Sequence, residues 1–109
     1  MSQAVAKRCL PCEGGVRPLD ANEVAIALKT LPDWQVDEGG KVISRAFKFA
    51  DFHQTMKFVN QVAEIAHRED HHPDMEVGYN RCLVRYSTHA LDGLSRNDFI
   101  CAAAVDELG

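Results

Sequence analysis

A chain of 109 residues, 46% hydrophobic and 26% charged, has the size and composition of one globular domain. Its formal charge of −4, with no positive run denser than Lys7-Arg8, argues against autonomous nucleic-acid binding, which needs clustered Lys and Arg against phosphates. No apolar stretch approaches the ~18 residues a membrane span needs, and Met1 to Lys7 is too short and polar for a signal peptide, so a soluble, cytoplasmic protein is expected.

Residues 1–18 read as an irregular arm rich in Cys, Gly and Pro, attached to a single domain that completes the span 1–109. Asp20 followed by Glu23 is a capping-box pattern, and Val24, Ala25, Leu28 and Leu31 give the helix behind it an apolar stripe that Pro32 stops. Trp34 to Val36 and Val42 to Phe49 read as strands of a hairpin about Gly39-Gly40. Asp51 is placed to cap a second helix, in which Phe52, Met56, Val59, Val62, Ala63 and Ala66 recur at spacings of three and four. That helix is expected to reach about Arg68 and to be over by Pro73.

Met75 to Tyr79 and Cys82 to His89 are the next strand candidates, with Asn80-Arg81 as the turn between them. Ser95 with Asp98 repeats the capping-box pattern and opens a last helix through Ile100, Ala103, Ala104 and Leu108. The order helix, two strands, helix, two strands, helix predicts an α+β fold: a two-layer arrangement with a four-stranded antiparallel sheet and helices packed on one face. The other sheet face, or an edge strand, is then available to a second subunit. Cys82 and Cys101, inside apolar segments, are expected to be reduced core residues, and Trp34 and Tyr79 to be core residues more than ligand contacts. Cys9-x-x-Cys12 is a weak signal without a second such pair, and redox, metal and structural readings stay open for it.

Five histidines are present, and three fall in one window, His67-Arg-Glu-Asp-His71-His72, just before Pro73. His89 ends the last strand candidate. If that strand pairs with the one starting at Met75, antiparallel geometry brings His89 close to His71 and His72. Histidine both gives and takes protons near neutral pH, so two of them facing one substrate suit an elimination. His67 and His71, four apart, would share a helical face as zinc ligands only if the helix continued through His71, and Pro73 argues against that. His53 reads as an ordinary surface residue.

The pattern His67-x3-His71-His72-Pro73, Tyr79, Thr88-His89, Gly93-Leu94-Ser95 and Asp98 resembles the pterin-4a-carbinolamine dehydratases. Five residues separate Pro73 from Tyr79, nine separate Tyr79 from His89, and eight separate His89 from Asp98, as in that family. Cys9-x-x-Cys12-Glu-Gly-Gly, Leu31-Pro-x-Trp34 and Arg45-x-Phe47-x-Phe49 resemble its bacterial-type members. The resemblance implies the fold read above, a homodimer or homotetramer, and dehydration of 4a-hydroxytetrahydrobiopterin to quinonoid dihydrobiopterin, which recycles the cofactor of aromatic amino acid hydroxylases. It implies no metal and no cofactor. Carried over by position, His71 and His89 are the proton-transfer pair and His72 a substrate-binding residue. Thr88 is a candidate substrate or backbone contact, and Asp98 and His67 are supporting residues. Many family members carry Glu where this chain has His67. Two other readings stand beside this one: a related enzyme acting on another pterin, as in molybdopterin metabolism, and an interaction protein that serves as a dimerisation cofactor.

Overall fold

The computed structural model describes residues 17–108, so Cys9, Cys12 and nearly all of the N-terminal arm lie outside the described residues. Helix α1 (Ala21–Leu28) opens with the full capping box: the Asp20 carboxylate accepts the Glu23 N–H, and Glu23 Oε1 accepts the Asp20 N–H, each at 2.9 Å. The Arg17 guanidinium, 2.7 Å from Glu23 Oε1, and the Asp20 N–H hold the Glu23 carboxyl below the usual carboxylate range. The helix ends at Leu28, and turn bonds to the Ala27 and Leu28 carbonyls occupy the chain before Pro32 is reached.

Strands β1 (Gln35–Val36) and β2 (Ile43–Lys48) form the first hairpin. Trp34 lies just before β1 in a turn closed by its N–H on the Leu31 carbonyl. Asp51 caps helix α2 (Phe52–Glu69) by accepting the Gln54 N–H at 2.9 Å. Strands β3 (Asp74–Val77) and β4 (Arg81–Tyr86) form the second hairpin, and helix α3 (Arg96–Asp106) closes the described chain. The Gly78 N–H bonds the Arg81 carbonyl, so Tyr79 and Asn80 occupy the turn, one residue earlier than the sequence indicates. Tyr79 at a turn tip is 67% exposed, which corrects the expectation of a core residue.

The sheet order is β1-β2-β4-β3, and every pairing is antiparallel. Strands alternate faces, so Ile43, Phe47, Cys82, Val84 and Tyr86 turn toward the helices. There they pack with Phe58, Val62 and Ile65 of α2 and Cys101, Ala102 and Val105 of α3. Ser44, Ala46, Lys48, Leu83, Arg85 and Glu76 occupy the opposite face, where Arg85 pairs with Glu76. The architecture is α+β with the helices on one face of a four-stranded antiparallel sheet. Cys82 and Cys101 are buried in the core, and burial pushes the Cys82 thiol above its ordinary range. Among the described residues no helix is long and apolar enough to cross a membrane.

Arg45 is the one charged residue on the helix-facing side of β2. Its Nη1 lies 2.7 Å from Asp106 Oδ1, which also accepts the Trp34 Nε1–H at 2.9 Å, and its guanidinium sits 4.4 Å from the centre of the Phe47 ring. A carboxylate at the end of α3 thereby satisfies the buried indole and anchors the hairpin to the helical layer.

Candidate active site

Helix α2 ends where the histidine window begins. Asp70 adopts the left-handed region at φ 51°, and the N–H groups of Asp70 and His71 both turn back to the Ala66 carbonyl. The chain therefore leaves the helix axis before His71, and His67 and His71 do not share a helical face. Pro73 disfavours helical backbone at the preceding His72, and the chain runs on into β3.

This reversal swings the His71 side chain inward until it is 11% exposed. Its ring lies parallel to the fully buried Tyr86 ring, with centroids 5.9 Å apart and planes 6° apart. His71 Nε2 stands 2.6 Å from Asp98 Oδ1. Asp98 is fully buried in the first turn of α3, and its other oxygen has separate duties: Oδ2 accepts the Ser95 N–H at 2.9 Å and the Thr88 hydroxyl at 2.7 Å. Three donors thus converge on one carboxylate. Because a carboxylate only accepts, Nε2 is the ring nitrogen that donates to it, and Nδ1 is the nitrogen turned away from Asp98.

His89 does not end a strand. Strand β4 stops at Tyr86, and His89–Leu91 form a single turn of 3₁₀ helix. The cause is a closure of the chain on itself. Thr88 bridges antiparallel to Gly93, the Leu91 N–H bonds the Thr88 carbonyl, and Asp92, left-handed at φ 50°, sends its N–H to the His89 carbonyl. Two outside contacts hold this turn. The Leu19 N–H bonds the Leu94 carbonyl at 2.8 Å, and Lys41 Nζ pairs with Asp92 at 2.9 Å. His89 is exposed at the turn's start, directly after the Thr88 that hydrogen-bonds Asp98.

One buried carboxylate therefore ties the His71 loop to the His89 turn. His72 is exposed beside His71, and its ring meets the exposed His67 ring edge to face at 6.3 Å. Thr88, expected to touch substrate or backbone, is 4% exposed, with its hydroxyl on Asp98 and Ser95 and its N–H on the Gly93 carbonyl. Tyr86 and Ser95 were not among the site residues expected from the sequence. The tyrosine lay within the strand candidate Cys82 to His89 without a role of its own, and the serine entered as a cap and as part of the family pattern. Among the described residues no three His, Cys, Asp or Glu side chains gather as a metal ligand set. A groove along α2 lined by Phe52, His53, Met56 and Glu64 contains none of the expected site residues. The arrangement pairs a carboxylate-held imidazole with a second, solvent-facing imidazole, the equipment for moving one proton off and another onto a small molecule.

Comparison with known proteins places the chain in a family. Residues 17–108 match the family model described as pterin 4 alpha carbinolamine dehydratase. A relative from Nitrosospira multiformis, provisionally named a pterin-4-alpha-carbinolamine dehydratase, is 54% identical over 102 residues, covering 94% of this chain and 88% of its own. A relative from Legionella pneumophila with the same provisional name is 49% identical over 108 residues, 98% of this chain and 96% of its own. The crystal structure of a transcriptional coactivator/pterin dehydratase from Brucella melitensis superposes with a TM-score of 0.81 at 35% identity, covering 84% of this chain and 98% of that one. A pterin dehydratase-like RuBisCO assembly factor of the alpha-carboxysome shares the fold, with a TM-score of 0.61 at 21% identity, over 70% of this chain and 88% of that one. By sequence across nearly its whole described length, and by fold, the chain belongs to the pterin-4-alpha-carbinolamine dehydratase family.

Proposed function

We propose that this protein removes water from 4a-hydroxytetrahydrobiopterin by histidine acid–base catalysis, in tetrahydrobiopterin recycling in the cytoplasm. The observation that carries the proposal is the 2.6 Å contact of His71 Nε2 with buried Asp98. With Nε2 holding a proton toward the carboxylate, Nδ1 is the nitrogen free to take the proton from pterin N5. Asp98 then faces the positive charge that the ring acquires, the arrangement that suits a base. His89, exposed and without such a carboxylate, protonates the departing 4a-hydroxyl. The N5–H and C4a–O bonds break, the N5=C4a double bond forms, and quinonoid dihydrobiopterin and water leave. His72, beside His71 and solvent-facing, binds the substrate. His67, against His72, supports it from outside. Asp98 is a positioning residue. The reading calls on no cofactor.

The test follows the ultraviolet absorbance of freshly generated 4a-hydroxytetrahydropterin with wild type and with His71→Ala, His72→Ala and His89→Ala. Wild type is expected to accelerate its decay. His71→Ala and His89→Ala are each expected to lose about 10²–10⁴-fold, the usual weight of a positioned proton transfer, whereas His72→Ala raises KM. A folded wild type that gives no acceleration overturns the proposal for this pterin and directs the search to other pterins and to protein partners.

A further inference from the structure

Thr88 adjoins one proposed catalytic histidine in sequence and reaches the other through a carboxylate. Its hydroxyl is buried between Asp98 Oδ2 at 2.7 Å and Ser95 Oγ at 2.8 Å. A hydroxyl has one proton to donate, and Asp98 Oδ2 can only accept. The Thr88 proton therefore points to Asp98, and the Ser95 proton points to Thr88. Ser95 Oγ in turn accepts the Asn97 N–H at 3.2 Å. The hydrogen bonds run in one direction, from the α3 backbone through Ser95 and Thr88 to Asp98, and meet the Nε2–H of His71 at the other carboxylate oxygen. The same Thr88 carries the backbone bridge to Gly93 that forms the His89 turn.

We infer that Thr88 is a positioning residue for both histidines: its hydroxyl fixes the Asp98 carboxylate that selects the His71 tautomer, and its backbone sets the turn that presents His89. This rests on the dehydratase reading for its effect on rate, but not for its effect on the His71 ring. Removing the hydroxyl leaves Oδ2 with the Ser95 N–H alone, so one of the three contacts that oppose rotation of the carboxylate about its last side-chain bond is lost. Small displacements of proton-transfer groups carry large rate effects, up to about 10²-fold for 1 Å.

The experiment uses full-length protein with ¹⁵N-labelled histidine, the His71 signals being identified by their loss in His71→Gln. In wild type, Nδ1 and Nε2 shifts are expected to report a single tautomer protonated on Nε2. Thr88→Val is expected to mix the two tautomers and lower kcat for the 4a-hydroxypterin by roughly 10–100-fold with KM within about twofold. Thr88→Ser is expected to restore both. A wild-type ring protonated on Nδ1 overturns the inference without any variant, as does a folded Thr88→Val that keeps the wild-type tautomer and kcat. If Thr88→Val mixes the tautomers but the wild-type protein does not accelerate dehydration, Thr88 still orients His71 and it is the proposed reaction that fails.

Discussion

Asp98 and His71, 27 residues apart in sequence, meet at 2.6 Å in the buried layer between α3 and the end of α2. The contact does not compete with helix capping, because Oδ1 faces the histidine while Oδ2 completes the capping box with Ser95. One side chain therefore caps the helix with one oxygen and meets His71 with the other, and substitutions can separate the two contacts. Asp98→Asn keeps an oxygen for the Ser95 N–H and the Thr88 hydroxyl but turns an NH₂ toward His71. The ring must then accept at Nε2 and carry its proton on Nδ1, which removes the lone pair assigned to the pterin proton. The expected result is a kcat lower by about 10²-fold or more with a urea midpoint near that of wild type. Asp98→Ala removes the cap as well and leaves buried donors without an acceptor, so it is expected to lose about 3 kcal/mol of stability in urea denaturation. An Asp98→Asn enzyme with wild-type kcat would rule out the tautomer assignment.

Gly93 is buried where the end of the N-terminal arm crosses the His89 turn. A Cβ at this position would lie 2.7 Å from Pro18 Cβ, inside any normal contact distance. Gly93→Ala must push the Pro18-Leu19 segment away from the turn and strain the Leu19-to-Leu94 hydrogen bond. Overpacking of this kind costs about 1–3 kcal/mol, and in a domain this size each kcal/mol moves Tm by roughly 4–8 °C. A thermal melt is expected to show that loss, and Gly93→Ala/Pro18→Gly to recover part of it. No recovery in the double variant would mean that the strain lies elsewhere in the turn.

The fold was legible because each element announces itself locally. Asp20 and Ser95 carry capping boxes, Asp51 caps α2, and Phe47 and Phe49 or Cys82, Val84 and Tyr86 alternate as half-buried strands require. The histidines were legible as a set by type and spacing. The His89 turn was not, because alternation continues through Thr88 while the strand's end is decided by Gly93 closing back on Thr88. The burial of Asp98 was hidden for a related reason: Ser95-x-x-Asp98 is fully explained as a cap, and only packing of the helix against the His71 loop shows that the second oxygen has a partner. Tyr79 is aromatic and lies in a strand-like run, yet Gly78 and Arg81 close a turn around it. Periodicity reports which face a residue takes and is silent about where the chain reverses.

Among the described residues strand β3 has a hydrogen-bonded neighbour on one side only, and its Val77 is 45% exposed; at the turn beyond its end Tyr79 is 67% exposed, its ring stacked 6.4 Å from that of Phe52, which is 48% exposed. An exposed edge with apolar side chains favours pairing with another strand. Light scattering at micromolar concentration is expected to give two or four times the 12.1 kDa chain mass. Val77→Lys, which places a charge at that edge, is expected to lower it. A monomeric wild type would show that this edge is left to solvent.

The Cys82 thiol gives the fold a pH dependence whose sign follows from burial. Cys82 is fully buried against the helical layer, and desolvation pushes its ionisation above the ordinary thiol value of 9.0. As pH rises past 9.0 the unfolded chain loses the thiol proton while the folded chain keeps it. The folded state then binds more protons, and its stability falls with increasing pH until its own ionisation is reached. The slope for one group is at most about 1.4 kcal/mol per pH unit. Urea denaturation between pH 8 and roughly pH 10 is expected to show a steeper loss for wild type than for Cys82→Ala, even though Cys82→Ala starts less stable because it leaves a small cavity. A thiol reagent at pH 8, used on a Cys9→Ser/Cys12→Ser/Cys101→Ala background, is expected to label Cys82 only in denaturant. Equal pH slopes for wild type and Cys82→Ala, or rapid labelling of the native protein, would mean that water reaches the sulfur in solution.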